Sequence, residues 1–296
     1  MIPLYKIRDW ISMENINWHY LSSNPNAIHL LENNIDKIDW MLLSGNPNSI
    51  HIIEQNMNKI DWLLLSGNPN AIHILEKNMA NIDWNWLSKN PNAIHILEQN
   101  MDKIEWNFLC LNPNAIHILE KNIDKINWIW LSANPNAIHL LEQNMNNIDW
   151  IWLATNPSCS NLFEKNIDKI NWFMLSKNPN VIHILEKNIN SINWSKLSAN
   201  INAIHILEKN INSINWHYLS SNPNAIYLLE KNMNKIDWNI LSTNPSIFEY
   251  DYKKMKQNIE NSGIKEELAK TVFNPLRLQK FCEKYMIEFE EIVEIY

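Results

Sequence analysis

The stretch from Trp62 to Asp83, WLLLSGNPNAIHILEKNMANID, is the unit from which most of this chain is built. Tryptophan recurs every 22 residues without slippage and heads ten full copies and the start of an eleventh. A fixed period of this length is typical of a stacked array in which each unit contacts its neighbours. The repeated tryptophans are Trp18, Trp40, Trp62, Trp84, Trp106, Trp128, Trp150, Trp172, Trp194, Trp216 and Trp238.

The second half of each unit carries the signals of an amphipathic helix. Asn68 is a suitable N-cap and Pro69 a suitable first residue, so the pattern predicts a helix from Pro69 to Lys77. Asn78 then suits a left-handed residue that ends the helix. Residues 71, 72, 74 and 75 are apolar and share one face, while residues 70, 73, 76 and 77 are polar and share the other.

A second, very short helix is expected around each tryptophan. Asp83 is placed to cap it, and it should run from Trp84 to about Ser88 with Trp84 and Leu87 packed inward. Isolated helices shorter than about 12 residues are marginal in water, so each unit depends on its neighbours for stability.

These features predict an all-α fold, an α-solenoid of 22-residue repeats with terminal caps. Each repeat contributes a very short helix and a longer amphipathic helix. We expect an N-terminal cap at residues 1–17, the solenoid at 18–245 and a helical C-terminal cap at 246–296. The cap should include helices at 252–261 and 264–273, another beginning at Asn274-Pro275, and a final segment at 287–296. With about 10 Å between packed helices, the array would be a rod or arc of about 100 Å.

Bulk composition argues against several classes of partner. The formal net charge is −7 and the pI is near 5.8, so no global attraction to nucleic acid or to an anionic membrane is expected. The three cysteines Cys110, Cys159 and Cys282 are scattered, which favours a reducing compartment over a disulfide framework. The N-terminus lacks the apolar core of a signal peptide, and no apolar run reaches membrane-helix length. We therefore expect a cytoplasmic protein without cofactors or a membrane partner.

The pattern W-x-x-L-S-x-N-P-N-A-I-H-x-L-E-x-N, as at residues 62–78, resembles a repeat found in large sets of proteins encoded by giant DNA viruses, the mimivirus relatives. The tail at Gly263–Leu268 and Phe273–Leu278 is similar to the segment that closes those proteins. The resemblance covers nearly the whole chain and implies a viral origin, with a place in the host cytoplasm, the viral factory or the virion. It implies no mechanism. A weaker similarity to leucine-rich variant repeats supports the architecture alone.

The seventh unit departs from the pattern at Ala154 and across residues 158–161, and the ninth departs at Ile201. Ser160 replaces the apolar residue and Asn161 the histidine of the other units. We expect a looser stack at the seventh unit, a hypothesis that uniform hydrogen-exchange protection across residues 150–171 would contradict.

Histidine forms the most conspicuous polar column, and each of its members has Glu three residues later. A shared metal ion is one interpretation, although a closed site needs three or four ligands. The alternatives are a solvated face with weak i,i+3 pairs, which we favour, and a pH-sensitive surface. The column consists of His29, His51, His73, His95, His117, His139, His183 and His205.

The asparagine columns that contain Asn24 and Asn34 favour a structural role, because their short side chains can satisfy backbone groups from repeat to repeat. The tryptophan column favours the core. The positions that vary are the two that follow each tryptophan, and variation on a regular scaffold is typical of a binding surface. The second of these positions supplies the candidate contact residues Tyr20, Trp86, Phe108, Trp130, Trp152 and Tyr218. The competing interpretation is that these aromatic residues fill space between helix layers.

Three functions are compatible with this pattern to different degrees. We favour a non-catalytic scaffold for protein–protein interaction that uses these aromatic positions. Single-stranded RNA binding, one base per repeat, is the alternative, but a basic stripe is missing. Assembly into a larger structure such as a virion is a further possibility. No catalytic set or phosphate-binding glycine loop is present, so we do not expect an enzyme.

Overall fold

The repeating array is the main compact unit of the computed structural model, which describes residues 5–262. This unit comprises Ile7–Phe248. A smaller unit combines residues before Ile7 with residues from Glu249 onward, and its described part contains α22. Cys282, the tail segments that resemble the viral repeat proteins and the helices expected after residue 263 lie outside the described residues. The described residues include no helix long and apolar enough to cross a membrane.

Each repeat contains two short α-helices, which confirms the all-α solenoid. We call the first the Trp helix, because it begins at the repeated tryptophan, and the second the His helix. The Trp helices are α1 (Trp18–Leu21), α3 (Trp40–Ser44), α5 (Trp62–Gly67), α7 (Trp84–Lys89), α9 (Trp106–Leu109), α11 (Trp128–Ser132), α13 (Trp150–Leu153), α15 (Trp172–Leu175), α17 (Trp194–Ser198), α19 (Trp216–Ser220) and α21 (Trp238–Ser242).

The His helices alternate with the Trp helices along the chain. They are α2 (Ile28–Glu32), α4 (Ile50–Glu54), α6 (Ile72–Lys77), α8 (Ile94–Gln99), α10 (Ile116–Glu120), α12 (Ile138–Gln143), α14 (Ser160–Glu164), α16 (Ile182–Lys187), α18 (Ile204–Lys209) and α20 (Ile226–Glu230). The last α-helix within residues 5–262 is α22 (Tyr252–Asn261), as the sequence predicted. Strand β1 (Tyr5–Ile7) pairs with strand β2 (Phe248–Tyr250).

A 3₁₀ turn follows most His helices, and the sequence pattern did not predict it. These turns are Ile35–Lys37, Met79–Asn81, Met101–Lys103, Ile123–Lys125, Met145–Asn147, Ile167–Lys169, Ile189–Ser191, Ile211–Ser213 and Met233–Lys235. Other 3₁₀ turns are Met13–Asn15, Pro179–Val181, Pro223–Ala225 and Pro245–Ile247.

The His helix begins later than the sequence predicted, and it ends at Lys77 as predicted but without the expected left-handed residue. Asn68 accepts a hydrogen bond from the Asn70 N–H at 3.0 Å, but residues 69–71 form a turn and the helix begins at Ile72. The expected left-handed Asn78 has φ −132°. Its side chain instead donates to the Ile74 carbonyl at 2.8 Å and so satisfies the helix end without a positive φ.

Buried leucines, isoleucines and alanines form the core between the Trp and His helices. In the third unit Leu65, Ala71 and Leu75 are fully buried, and Ile74 is nearly so. The tryptophan column is only half-buried, so the prediction that it belongs to the core holds in part. Lysine ammonium groups cover several of these indole rings. Lys37 lies 4.5 Å from the centre of the Trp18 ring, and other pairs are Lys59–Trp40, Lys103–Trp84, Lys169–Trp150 and Lys235–Trp216.

A ladder of buried asparagines joins each unit to the preceding one, as the sequence predicted for the Asn24 column. Asn46 is 1% exposed, and its Nδ2 donates to the carbonyls of Ser22 and Asn24, both at 3.0 Å. Its Oδ1 accepts the Asn48 N–H, so one side chain satisfies three backbone groups. The same bonds recur in the following units, with a cysteine or alanine carbonyl in place of serine where the sequence varies.

Serine adds a second connection between units. The Ser22 hydroxyl donates to the Trp18 carbonyl at 2.9 Å and accepts the N–H of Asp39, which opens the next Trp helix, at 2.9 Å. Each unit that carries this serine therefore fixes where the next unit begins.

The array closes on itself, so the predicted rod or arc is wrong. Asn24 in the first unit donates to Ser242 and Asn244 in the last unit at 3.0 and 2.9 Å. The Asn17 N–H donates to the Ser242 hydroxyl, and Asn26 donates to the Pro245 carbonyl. The two bonds of Asn24 recur between the other neighbouring units and the remaining two recur between most of them, and the helices α1 and α21 are in direct contact. Residues 7–248 therefore form a closed ring.

The Trp helices lie on the inner side of this ring. Neighbouring Trp helices approach each other closely, whereas neighbouring His helices are bridged by long side chains. In a closed ring the elements nearer the axis must be closer together. In a ring of eleven equal units, each unit turns by about 33° relative to the preceding one. Each unit is therefore wedge-shaped, because neighbouring Trp helices are closer together than neighbouring His helices.

Residues 8–17 lie against the last unit rather than over an open end. The Arg8 N–H donates to the Ile247 carbonyl at 3.0 Å, and the rings of Trp10 and Trp238 are 6.4 Å apart. Because the ring is closed, the first unit has no free end face for the expected N-terminal cap to cover.

Candidate functional site

The two residues after each repeated tryptophan form what we call the variable strip. An Asp or Asn side chain at the start of most Trp helices fixes its geometry; Asp83, for example, accepts the Trp86 N–H at 2.9 Å. Leu87 and Ser88 occupy the buried face of the same helix. The strip residues stand on the opposite face, which points away from the His helices and therefore toward the inside of the ring.

Large apolar side chains are exposed along this strip. At the first position, the exposed fractions are 55% for Met41, 45% for Leu63, 46% for Ile129, and 51% for both Ile151 and Phe173. Single exposed apolar residues are common, whereas a contiguous exposed apolar patch is typical of interaction surfaces.

The six aromatic residues singled out from the sequence all lie at the second position of the strip. Trp152 and Tyr218 are exposed, and Tyr20, Trp86, Phe108 and Trp130 are half-buried. The interpretation that these rings fill space between units therefore holds for the covered portion of each half-buried ring, and the binding surface stays a prediction.

Three of these residues form what we call the aromatic ladder: Phe108, Trp130 and Trp152. The ring centres of Phe108 and Trp130 are 5.2 Å apart, and those of Trp130 and Trp152 are 6.2 Å apart with planes inclined by 13°. The rings pack against one another, so their faces are in part already occupied.

Trp86 has a different environment from the aromatic ladder. A Cβ atom added to Gly67 would lie 2.7 Å from Cε3 of Trp86, so the indole fits only because residue 67 has no side chain. The Lys89 ammonium lies 5.8 Å from the centre of the Trp86 ring.

Lys196 is the one charged residue at the second strip position. Its ammonium lies 4.9 Å from the centre of the Phe173 ring and 5.2 Å from that of Tyr218. These cation–π contacts hold a positive charge on an otherwise mostly apolar and aromatic strip.

The histidine column pairs between units, so the expected i,i+3 contacts within one helix are wrong. The Nε2 of His73 lies 2.9 Å from Glu54 Oε1, 19 positions earlier in the preceding unit. The same relationship joins His51–Glu32, His95–Glu76, His117–Glu98, His139–Glu120, His183–Glu164 and His205–Glu186. The ring centres of His29 and Phe248 lie 5.6 Å apart, with the two rings nearly perpendicular.

These histidine–glutamate pairs are about half exposed, and exposed pairs contribute little stability each, about 0–1 kcal/mol. Among residues 5–262 no three His, Cys, Asp or Glu side chains are grouped as they would be to hold a metal ion. The column serves as a set of contacts between neighbouring His helices.

Two histidines on the variable strip pair with an aspartate of the next unit. His19 Nδ1 lies 2.6 Å from Asp39, and His217 Nδ1 lies 2.8 Å from Asp237. Burial raises the pKa of Asp237, but hydrogen bonds from His217 and the Ile240 N–H outweigh it, so the pKa lies below its usual value.

The cysteines Cys110 and Cys159 are fully buried. Burial raises the pKa of the Cys110 thiol and raises that of Cys159 to about 12. A thiol with such a pKa is protonated at neutral pH and is a poor nucleophile, so Cys159 fills space in the irregular seventh unit. There Phe163 is also fully buried and packs edge-on against Trp150 with ring centres 5.9 Å apart.

A second apolar column lies at the first residue of the 3₁₀ turns and was not recognised in the sequence. It includes Met79, Met101, Ile123, Ile167, Ile189, Ile211 and Met233, with exposed fractions from 37% to 53%. Unlike the variable strip, this column contains only isoleucine and methionine.

Comparisons of the chain with protein-family models, curated proteins and solved structures give no match.

Proposed function

We propose that the protein is a non-catalytic scaffold that binds an extended segment of a partner protein along the variable strip. The observation that carries this proposal is the row of exposed apolar and aromatic side chains on the inner side of the ring. These residues vary from unit to unit, whereas the asparagine, serine and leucine columns that hold the ring together recur with few exceptions. Concave surfaces of repeat arrays are well suited to extended ligands.

The contacts of the lysines favour a protein partner over RNA. Four of the recurring lysines lie over tryptophan rings of their own units: Lys37, Lys59, Lys103 and Lys169. The Nζ of a fifth, Lys125, lies 3.7 Å from Oδ2 of Asp124. The lysines that recur with the repeat thus form no free basic stripe along the strip. RNA binding remains testable, since it requires a strong loss of affinity as salt is raised.

The resemblance to giant-virus repeats supports extending the proposal to a viral protein that acts in the infected host cell. The same extension includes a role in assembly of the virion, in which case the bound segment belongs to another structural component.

A peptide-display selection against the intact protein tests the proposed surface. The variant Leu63→Ser/Ile129→Ser/Ile151→Ser removes three exposed apolar side chains from the strip. The matched control Ile123→Ser/Ile167→Ser/Met233→Ser removes three of similar exposure from the 3₁₀ column. We expect selected peptides to lose binding to the first variant at least about tenfold and to retain binding to the control.

The opposite pattern would move the binding surface to the 3₁₀ column and overturn the proposal. Selection of no peptide, together with salt-sensitive binding of labelled oligouridine in a filter assay, would favour the RNA alternative. Circular dichroism and thermal unfolding of each variant show whether the ring is intact.

A further inference from the structure

A cavity of about 370 Å³ lies where the seventh, eighth and ninth units meet. It is lined by Thr155, Met174, Lys177, Asn178, Pro179 and Lys196. Its volume lies at the lower end of the range for small-molecule sites, about 300–1,000 Å³.

The sequence explains why the cavity occurs at this place. The aromatic ladder ends at Trp152, and the next residue at the second strip position is the slender Met174. No ring therefore continues the stack into the eighth unit, and Lys196 follows in the ninth. The cavity lies at the break in the column of aromatic residues.

Two lysines that break the repeat pattern border this cavity. Lys196 is the one charged residue among the eleven second positions of the strip. The position before each Asn-Pro or Asn-Ile pair holds lysine in just two units, as Lys89 and Lys177. Among the described residues, neither Lys177 nor Lys196 forms an ion pair. Two positive charges without a carboxylate stand here in a chain of net charge −7.

The other polar side chains of the cavity are already engaged. The Thr155 hydroxyl donates to the Trp152 carbonyl at 2.7 Å. The Asn178 amide donates to the carbonyls of Ala154 and Asn156, and its Oδ1 accepts the Asn180 N–H. The two ammonium groups have no hydrogen bond or ion pair among the described residues and are the donors that remain for a ligand; that of Lys196 also lies beside the Phe173 and Tyr218 rings. Met174 and Pro179 supply apolar wall.

We infer that this cavity binds the phosphate of a phosphorylated side chain. A phosphomonoester carries about −1.5 to −2 charge at pH 7 and so matches two ammonium groups, whereas one carboxylate would leave a positive charge uncompensated. The cavity volume of about 370 Å³ is more than ten times the volume of about 30 Å³ that one water molecule occupies in the liquid. The cavity therefore has room for a phosphate and for the group that carries it. The inference rests on the proposed function in one respect, because the phosphorylated side chain belongs to the partner segment that binds along the variable strip.

Ligand-observed ³¹P NMR with the intact protein tests this assignment without a known partner. The probe is N-acetyl-O-phosphoserine N-methylamide, with inorganic phosphate as the ligand that lacks an organic group. We expect the protein to broaden the resonance of the probe, more strongly than that of inorganic phosphate, and the broadening to decrease as salt is raised. N-acetylglutamate N-methylamide at equal concentration should not displace the probe.

Charge variants locate the binding site. Lys177→Gln/Lys196→Gln should weaken probe binding about tenfold or more, because both charges that face the phosphate are lost. Lys89→Gln/Lys121→Gln changes the net charge equally elsewhere on the ring and should leave binding unchanged. Lys177→Arg/Lys196→Arg keeps the charges and should retain binding, which separates a loss of charge from a loss of fold.

Equal weakening by both Gln variants would show non-specific attraction and overturn the assignment, as would the absence of broadening in the unmodified protein. Displacement by the glutamate analogue would overturn the choice of phosphate. The peptide selection uses unphosphorylated peptides and exposed apolar residues outside the cavity lining. A failure of the strip and a failure of the cavity are therefore distinguishable.

Discussion

Asn24 donates its side-chain N–H groups to the carbonyls of Asn244 and Ser242 at 2.9 and 3.0 Å, although Asn244 is 220 residues further along the chain. Asn134 makes the corresponding bonds to Asn112 and Cys110 in the neighbouring unit. The seam between the first and last units is thus built like an internal interface, and no unit of the array has an unpaired end.

Asn24→Ala is therefore expected to destabilise the protein as much as Asn134→Ala. Each substitution removes three hydrogen bonds from a fully buried side chain and leaves backbone groups unsatisfied, at a cost of about 1–3 kcal/mol. Urea unfolding followed by circular dichroism measures both variants. A negligible effect of Asn24→Ala beside a clear effect of Asn134→Ala would mean that the ring is open in solution.

Local features of this fold follow directly from the repeated unit. The Trp helix, its Asp or Asn cap, the buried leucine and the asparagine ladder were all predicted, because each depends on residues within one or two units. Closure was not predicted. It depends on a turn of about 33° per unit that accumulates over eleven units, and this angle is set by side-chain lengths in two layers at once.

The partners of the histidines show a second limit of sequence reasoning. Because the period is 22, a glutamate three residues after one histidine is also 19 residues before the next. The two arrangements give the same sequence pattern, so only the structure distinguishes His73–Glu76 from the observed His73–Glu54 pair. The same ambiguity concealed the lysine–tryptophan contacts, and the cavity beside Lys196 depends on three units together.

A covalent link across the seam gives a direct test of ring closure. The side chains of Asn17 and Asn239 are in contact at 2.7 Å, and those of Asn107 and Asn127 are in contact at 2.8 Å within the ring. In a Cys282→Ser background, Asn17→Cys/Asn239→Cys should cross-link within one chain with a short bis-maleimide as rapidly as Asn107→Cys/Asn127→Cys. Cross-links between chains alone, detected by non-reducing electrophoresis and mass spectrometry, would contradict closure.

The two glycines at the C-terminal ends of Trp helices, Gly45 just after α3 and Gly67 as the last residue of α5, should respond oppositely to alanine. Gly67→Ala places a Cβ 2.7 Å from Trp86 Cε3, which forces the indole to move and should cost about 1–3 kcal/mol. The new Cβ of Gly45→Ala would have no neighbour closer than 3.7 Å, so this variant should be neutral or more stable by up to about 1 kcal/mol. Thermal unfolding compares the two variants. Trp86→Ala should remove most of the difference, and its persistence in that background would refute this explanation.

Alkaline pH should destabilise the ring through its buried thiols. Burial raises the pKa of Cys159 to about 12, whereas the pKa of a cysteine in the unfolded chain is about 8.5. The unfolded chain therefore loses this proton first, and stability should fall as the pH rises from about 8.5 toward 12. In the Cys282→Ser background, a thiol reagent at pH 8 should modify no cysteine of the native protein and two after denaturation. Rapid native modification would contradict the burial of Cys110 and Cys159.

Ala154→Ser should stabilise the irregular seventh unit. In the preceding unit the Ser132 hydroxyl donates to the Trp128 carbonyl at 2.7 Å and accepts the Asp149 N–H at 3.0 Å. Ala154 has no hydroxyl for the equivalent Trp150 carbonyl and Asn171 N–H, so serine should restore two bonds and contribute about 0.5–1.5 kcal/mol. Urea unfolding measures the gain, and Ser132→Ala should show a loss in the same assay. A destabilised Ala154→Ser variant would mean that the seventh unit has no space for the hydroxyl. A stabilised variant with greater hydrogen-exchange protection across residues 150–171 would show that the missing hydroxyl causes the looser stack expected there.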